Sequence, residues 1–226
     1  MQTAERTLTP GEAAPQFELP AVNRDGTVSL GQFRGRRAVM LGFFRGLHCP
    51  FCRRQIAQLG AAQPRLLEHG VETLAVVNTP LERARLYFRH RPTPVALLSD
   101  PDCAVHRAYG VPRIGFLAPG SAEAPRWPTS TPPALFEAAR IDPTGELDAP
   151  TQPMQANDLL NAKDGFALTD DDRRIFESHA TQLAGQFLVD RAGIVRWAWI
   201  EAPDSPAELC SFPGVNAMVE AARALA

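Results

Sequence analysis

The chain has 226 residues, 45% of them hydrophobic, with a formal net charge of −2. That is enough for one sizeable core, and it excludes the basic footprint of a nucleic-acid binder and a polybasic membrane patch. The longest apolar stretch, Ala38–Phe44, is too short to span a bilayer, and the polar Met1–Thr9 has no apolar leader core, so a cytoplasmic location is expected.

Phe17–Leu19 reads as a short strand, Arg24-Asp25-Gly26 as a turn, and Val28 and Leu30 as the return of a hairpin-like entry. Ala38–Phe44 is a continuous apolar run bounded by Arg and Gly, which suits a buried central strand. A helix starts at Pro50, with Ile56, Leu59, Leu66 and Leu67 at helical spacing. Pro64 is expected to kink it or end its first half, and Gly70 to stop it. Then come a strand at Val71–Val77, a helix at Leu81–Arg91, a strand at Val95–Leu98 and a short helix at Asp102–Tyr109, closed by Gly110. This alternation implies right-handed crossovers and a mostly parallel central sheet.

Ala118–Pro153 breaks the rhythm, with eight prolines in 36 residues. Such a stretch forms no long helix or central strand. Residues 118–180 are therefore read as an insertion within a single domain of residues 1–226, with a short helix near Ala134–Arg140. Thr169 caps a helix over Asp170–His179. Gly185–Val189 and Ile194–Ile200 form an antiparallel hairpin, and an Ala-rich helix over Phe212–Ala226 ends the chain.

Four cysteines (Cys49, Cys52, Cys103 and Cys210) are too few for a disulfide scaffold. In a reducing compartment a close pair points to redox or metal chemistry. The pair Cys49-Pro50-Phe51-Cys52 falls where a central strand gives way to a helix. Pro50 suits the first helical position, which makes Cys49 the N-cap. Its sulfur then faces the free N–H groups and the positive end of the helix. Arg45, His48, Arg53 and Arg54 are expected to add positive charge and favour the thiolate. His48 is also a candidate proton shuttle. Cys52, one turn on, can close a disulfide with Cys49.

Zinc is the rival, with Cys103 and His106 as two further ligands. The helix-capping Pro and the strand–loop–helix setting favour redox chemistry. Haem attachment needs His directly after the second Cys, where this chain has Arg53. Cys103 itself is read as a small buried hydrophobe, with a resolving thiol as the alternative. Cys210 is read as idle, with an intermolecular bond as the alternative. Trp197 and Trp199 share one strand face and are read as packing residues.

Several motifs carry a resemblance. They are Pro15–Pro20, Asp25-Gly26-Thr27-Val28-Ser29-Leu30, Phe33-Arg34-Gly35, Leu98–Asp102 and Tyr109-Gly110-Val111. With the C-x-x-C they resemble the alkyl hydroperoxide reductase/thiol-specific antioxidant (AhpC/TSA) superfamily of the thioredoxin fold. The C-x-x-C and Leu183–Asp190 are similar to its peroxiredoxin-like group that includes prostamide/prostaglandin F synthase. The resemblance implies an α/β thioredoxin-like fold: a mixed, mostly parallel sheet flanked by helices. The Pro-rich insertion then precedes the C-terminal hairpin and final helix.

It also implies a thiol-dependent oxidoreductase that reduces peroxides or disulfides through a Cys49/Cys52 cycle. No bound cofactor or metal is expected. Electrons would come from a thioredoxin- or glutathione-type donor, and a homodimer is possible. Two templates divide on the nucleophile: helix-cap physics and the thioredoxin analogy favour Cys49, while the peroxiredoxin alignment puts the peroxidatic thiol at Cys52. The usual catalytic Arg before the Phe187–Asp190 run is missing, and Arg45 is preferred over Arg113 as its stand-in. A redox sensor using the same disulfide without turnover is the alternative function.

Overall fold

A computed structural model describes residues 6–225. Met1–Glu5 and Ala226 lie outside it, and with them part of the polar N-terminal stretch and the last residue of the expected final helix. A small hairpin, β1 (Glu18–Pro20) and β2 (Thr27–Ser29), opens the chain. The central sheet follows: β3 (Ala38–Phe44), β4 (Val71–Val77), β5 (Ala96–Ser99), β6 (Gly185–Val189) and β7 (Val195–Ile200), in the order β5-β4-β3-β6-β7. The β3–β4 and β4–β5 pairs are parallel, and the β3–β6 and β6–β7 pairs antiparallel. Only β6 therefore runs against the other four strands. The sheet is mixed and flanked by helices, as expected of a thioredoxin-like α/β fold.

Every residue of β3 is buried, because the strand sits mid-sheet with a core on each face. One face packs on α1 (Pro50–Glu68) and the C-terminal α7 (Val215–Arg223). The other packs on the N-terminal hairpin and on α3 (Ala104–Ala108) with Tyr109. Helix α2 (Leu81–Arg89) lies beside β5.

Pro64 does not break α1, contrary to the sequence expectation. The helix runs through it for 19 residues. One lost backbone bond is a small cost when Ile56, Leu59, Ala62 and Leu66 on the same helix are all buried. The helix stops at Gly70, whose φ of +70° is costly for any residue with a Cβ.

The Pro-rich stretch contains α4 (Pro133–Ala138), near the expected short helix. A further helix, α5 (Pro153–Lys163), was not evident in the sequence. Its start is capped by the Gln152 side chain, which accepts from the Met154 and Gln155 N–H groups at 2.8 and 3.0 Å. Helix α6 (Asp170–His179) begins on a full capping box between Thr169 and Asp172. Asp172 also pairs with Arg83 at 2.7 Å, which ties α6 to α2. Among the described residues no helix is long and apolar enough to cross a membrane.

Candidate active site

Strand β3 ends at the sheet's middle, and the loop Arg45–His48 carries the chain to α1. The loop is tightly held. Leu47 N–H donates to Thr79 Oγ1 at 3.0 Å, and Cys49 N–H donates to the Gly46 carbonyl at 3.0 Å. Gly46 has no room for a side chain. A Cβ there would sit 2.7 Å from Asn78 Oδ1 and 3.0 Å from Thr79 Oγ1.

Cys49 is the N-cap of α1, as its spacing before Pro50 implies. Its sulfur accepts from the Cys52 backbone N–H at 3.2 Å. Burial alone would raise the Cys49 thiol. The Cys52 thiol hydrogen bond and the charge of Arg45 outweigh it and bring Cys49 down to about 6. Cys52 moves the opposite way. Its burial and its hydrogen bond to Cys49 hold it well above the ordinary thiol value.

Arg45 is almost wholly buried beneath this pair. Its guanidinium grips Glu201 with two bonds of 2.8 and 2.7 Å, and Nη1 also donates to the Gln182 carbonyl at 3.2 Å. Its Nη2 reaches Cys210 Sγ at 3.3 Å. Glu201 is fully buried and accepts further from the Ala184 and Cys210 N–H groups, each at 2.8 Å. Such complete satisfaction is what makes a buried carboxylate tolerable.

The other expected cations are set differently from Arg45. His48 is 2% exposed. Burial, and then the charge of Arg45, push its imidazole down to about 3, so it is neutral at physiological pH. Neither ring nitrogen has a hydrogen-bond partner, and the ring meets Phe176 edge-on at 5.3 Å. Arg53 is matched by Asp164 at 2.6 Å and Asn161 at 2.9 Å. Arg54 is matched by Glu146 and Asp164 at 2.6 and 2.8 Å. Both charges therefore strap the 118–180 segment onto α1. The sequence expectation failed because those carboxylates lie about a hundred positions away in the chain.

Cys103 is fully buried, and burial pushes its thiol up to about 11. It lies beside Asn78 Nδ2 at 3.6 Å, as a packing residue would. His106 is engaged by Asp100 at 3.0 Å and the Phe44 carbonyl at 3.2 Å, which withdraws it from the zinc alternative. Among the described residues no three His, Cys, Asp or Glu side chains are placed to hold a metal. Arg113 bonds Thr181 and Ser178 rather than the thiols. Trp197 and Trp199 pack on the core, and Trp199 lies 5.4 Å from Phe212.

Cys210, read from the sequence as a loop residue, sits at this site. It lines the same cavity as Arg45, His48 and Cys49, a space of about 240 Å³ with mostly apolar walls. Phe116, Phe136, Met154 and Phe176 form much of the wall, so three elements of the Pro-rich region and its sequel converge over the thiols. Sequence reasoning missed Glu201 and Cys210. Neither carries a local motif, and only the docking of the β7–α7 connection brings them beneath Arg45.

A family model described as the AhpC/TSA family matches residues 10–134. The chain belongs to the AhpC/TSA family. It is therefore a thiol-dependent oxidoreductase. The matched span holds Arg45, His48, Cys49 and Cys52 and stops before Glu201 and Cys210. A Mycobacterium tuberculosis protein with a provisional peroxiredoxin name is 31% identical over 109 residues, 48% of this chain and 68% of that one. Escherichia coli peroxiredoxin Bcp is 31% identical over 105 residues, 46% of this chain and 65% of its own length. The reduced 2-Cys peroxiredoxin of Plasmodium vivax shares the fold. Its TM-score is 0.56 at 19% identity, over 96% of this chain and 81% of that one.

Proposed function

We propose that this AhpC/TSA protein reduces organic hydroperoxides, with Cys49 as the attacking thiolate, Cys52 as a resolving thiol, and Arg45 and His48 as their polar partners. The observation that carries the reading is the opposite setting of the two sulfurs. Cys49 faces an apolar cavity with a thiol value near 6, while Cys52 is held protonated beneath it.

The Cys49 thiolate attacks the outer oxygen of the hydroperoxide. The O–O bond breaks, the alkoxide takes a proton to leave as the alcohol, and Cys49 becomes a sulfenic acid. Arg45 offers positive charge where negative charge develops. A neutral His48 has one donor and one acceptor nitrogen. Both are unpartnered at the cavity, so the ring can hydrogen-bond a peroxide or alcohol oxygen. Cys52 then condenses with the sulfenic acid, releasing water and closing the disulfide. In the cytoplasm one thioredoxin-type dithiol, or two glutathione-type thiols acting in turn through a mixed disulfide, restores both thiols and leaves as the donor disulfide.

In this reading residues 118–180 are an insertion within one domain, and the insertion forms the substrate wall. Stopped-flow oxidation with hydrogen peroxide and with cumene hydroperoxide tests it, on wild type, Cys49→Ser and Phe136→Ala. The bulky peroxide should react faster with wild type. Phe136→Ala should slow that reaction roughly tenfold, for about 1.5 kcal/mol of lost apolar contact, and leave hydrogen peroxide unaffected. Equal rates for both peroxides in wild type and variant would remove the apolar-substrate reading. A single oxidation that stalls with a dithiol donor present would favour the sensor instead.

A further inference from the structure

The peroxidase reading leaves one nucleophile of the site unused. Cys210 lies in the largely irregular connection Glu201–Gly214, between β7 and α7. Its backbone takes φ of +63°, a region that residues with a Cβ seldom enter. Its N–H is fixed on Glu201 Oε1 at 2.8 Å, the same carboxylate that fixes Arg45. Its sulfur accepts from Arg45 Nη2 at 3.3 Å and opens on the same cavity as Cys49. One carboxylate thus sets both the guanidinium and the second sulfur beside it. Cys52, in contrast, is 1% exposed and does not line the cavity.

We infer that Cys210 is a second resolving thiol for Cys49. The inference rests on the reading of Cys49 as the attacking thiolate. In the step, the Cys210 sulfur attacks the Cys49 sulfenic sulfur. A Cys49–Cys210 bond forms, the S–OH bond breaks, and the hydroxide leaves as water with the proton from Cys210. The two sulfurs together supply the two electrons that reduced the peroxide.

The electrostatics order the events. Before oxidation, burial holds the Cys210 thiol protonated against the pull of Arg45, with the charges of Glu201 and Cys49 adding to it. Cys210 is then no competitor for peroxide. Oxidation turns the Cys49 thiolate into a neutral sulfenic acid. One opposing negative charge vanishes, and Arg45 is left free to favour a Cys210 thiolate. The resulting disulfide would reach a half-buried loop residue, where a donor dithiol has better access than at Cys52.

The test is peptide mapping of Cys52→Ala, or of Cys52→Ser if the alanine variant does not fold. Protein is treated with one equivalent of cumene hydroperoxide, quenched in acid and alkylated. The expected product is a Cys49–Cys210 disulfide in most of the protein, with Cys103 recovered as a free thiol. Adding Cys210→Ser should abolish that disulfide and let a second equivalent carry Cys49 to the sulfinic acid. Recovery of alkylated Cys210 beside a sulfenic or sulfinic Cys49 in the single variant would overturn the inference and leave the peroxidase reading intact. The treatment is run at about pH 9, where Cys49 is ionised with or without the Cys52 thiol, and recovery of an unoxidised Cys49 there would overturn both.

Discussion

Replacing Cys52 with alanine isolates one contribution to the acidity of Cys49. The fall from the ordinary 9.0 to about 6 corresponds to about 4 kcal/mol favouring the thiolate. Burial opposes it, so the hydrogen bonds and Arg45 together supply more than that net. Cys52→Ala removes the thiol hydrogen bond but keeps the backbone N–H bond at 3.2 Å and Arg45 itself. A hydrogen bond to a charged group is worth about 1.5–3 kcal/mol, which moves the Cys49 titration up to between about 7 and 8. At pH 6 the thiolate fraction then drops from about one half to between about one tenth and one hundredth.

The assay is the ultraviolet absorbance of the thiolate against pH. Cys103, at about 11, does not titrate in this window. The depressed value also makes Cys49 a stabilising group. Its contribution is full above the ordinary thiol value and is lost as pH falls through about 6. Loss of acid sensitivity should therefore accompany the upward move. A midpoint that stays near 6 in Cys52→Ala would refute the role given to the Cys52 thiol and leave Arg45 and the helix cap as the whole cause.

Two further substitutions probe the frame around the thiols. Glu201→Gln leaves Arg45 buried beside a group that cannot accept both of its bonds. Breaking a buried pair of this kind should cost about 3–5 kcal/mol in chemical denaturation, and a loss under about 1 kcal/mol would count against the pair as a structural anchor. Gly46→Ala pushes a methyl against Asn78 and Thr79. It should destabilise the protein by about 1–3 kcal/mol and slow Cys49 alkylation, as the Leu47–Thr79 bond is strained. Wild-type alkylation rates and denaturation midpoints in that variant would show that the loop has slack.

The order of strands and helices was legible because each depends on neighbours in the chain. The run Ala38–Phe44 is apolar throughout because it is buried on both faces, and Thr169 sits three residues before Asp172 because a cap closes within one turn. The same locality placed Cys49 at the start of α1, with Pro50 behind it. The pass through Pro64 was not legible, because the burial that offsets its lost bond comes from β4 and α7. Nor was α5, whose cap is a glutamine after a proline-rich stretch.

The C-x-x-C alone established that this chain has a helix-capping dithiol. Tertiary structure decided how that dithiol is charged and what surrounds it. Charge acts through space rather than along the chain. Arg53 and Arg54, adjacent to Cys52 in sequence, are drawn off by Asp164 and Glu146. His48, next to Cys49, is neutralised by burial. Arg45 keeps its charge at the sulfur because Glu201, over 150 positions on, fixes it there, and the same carboxylate brings Cys210 to the site.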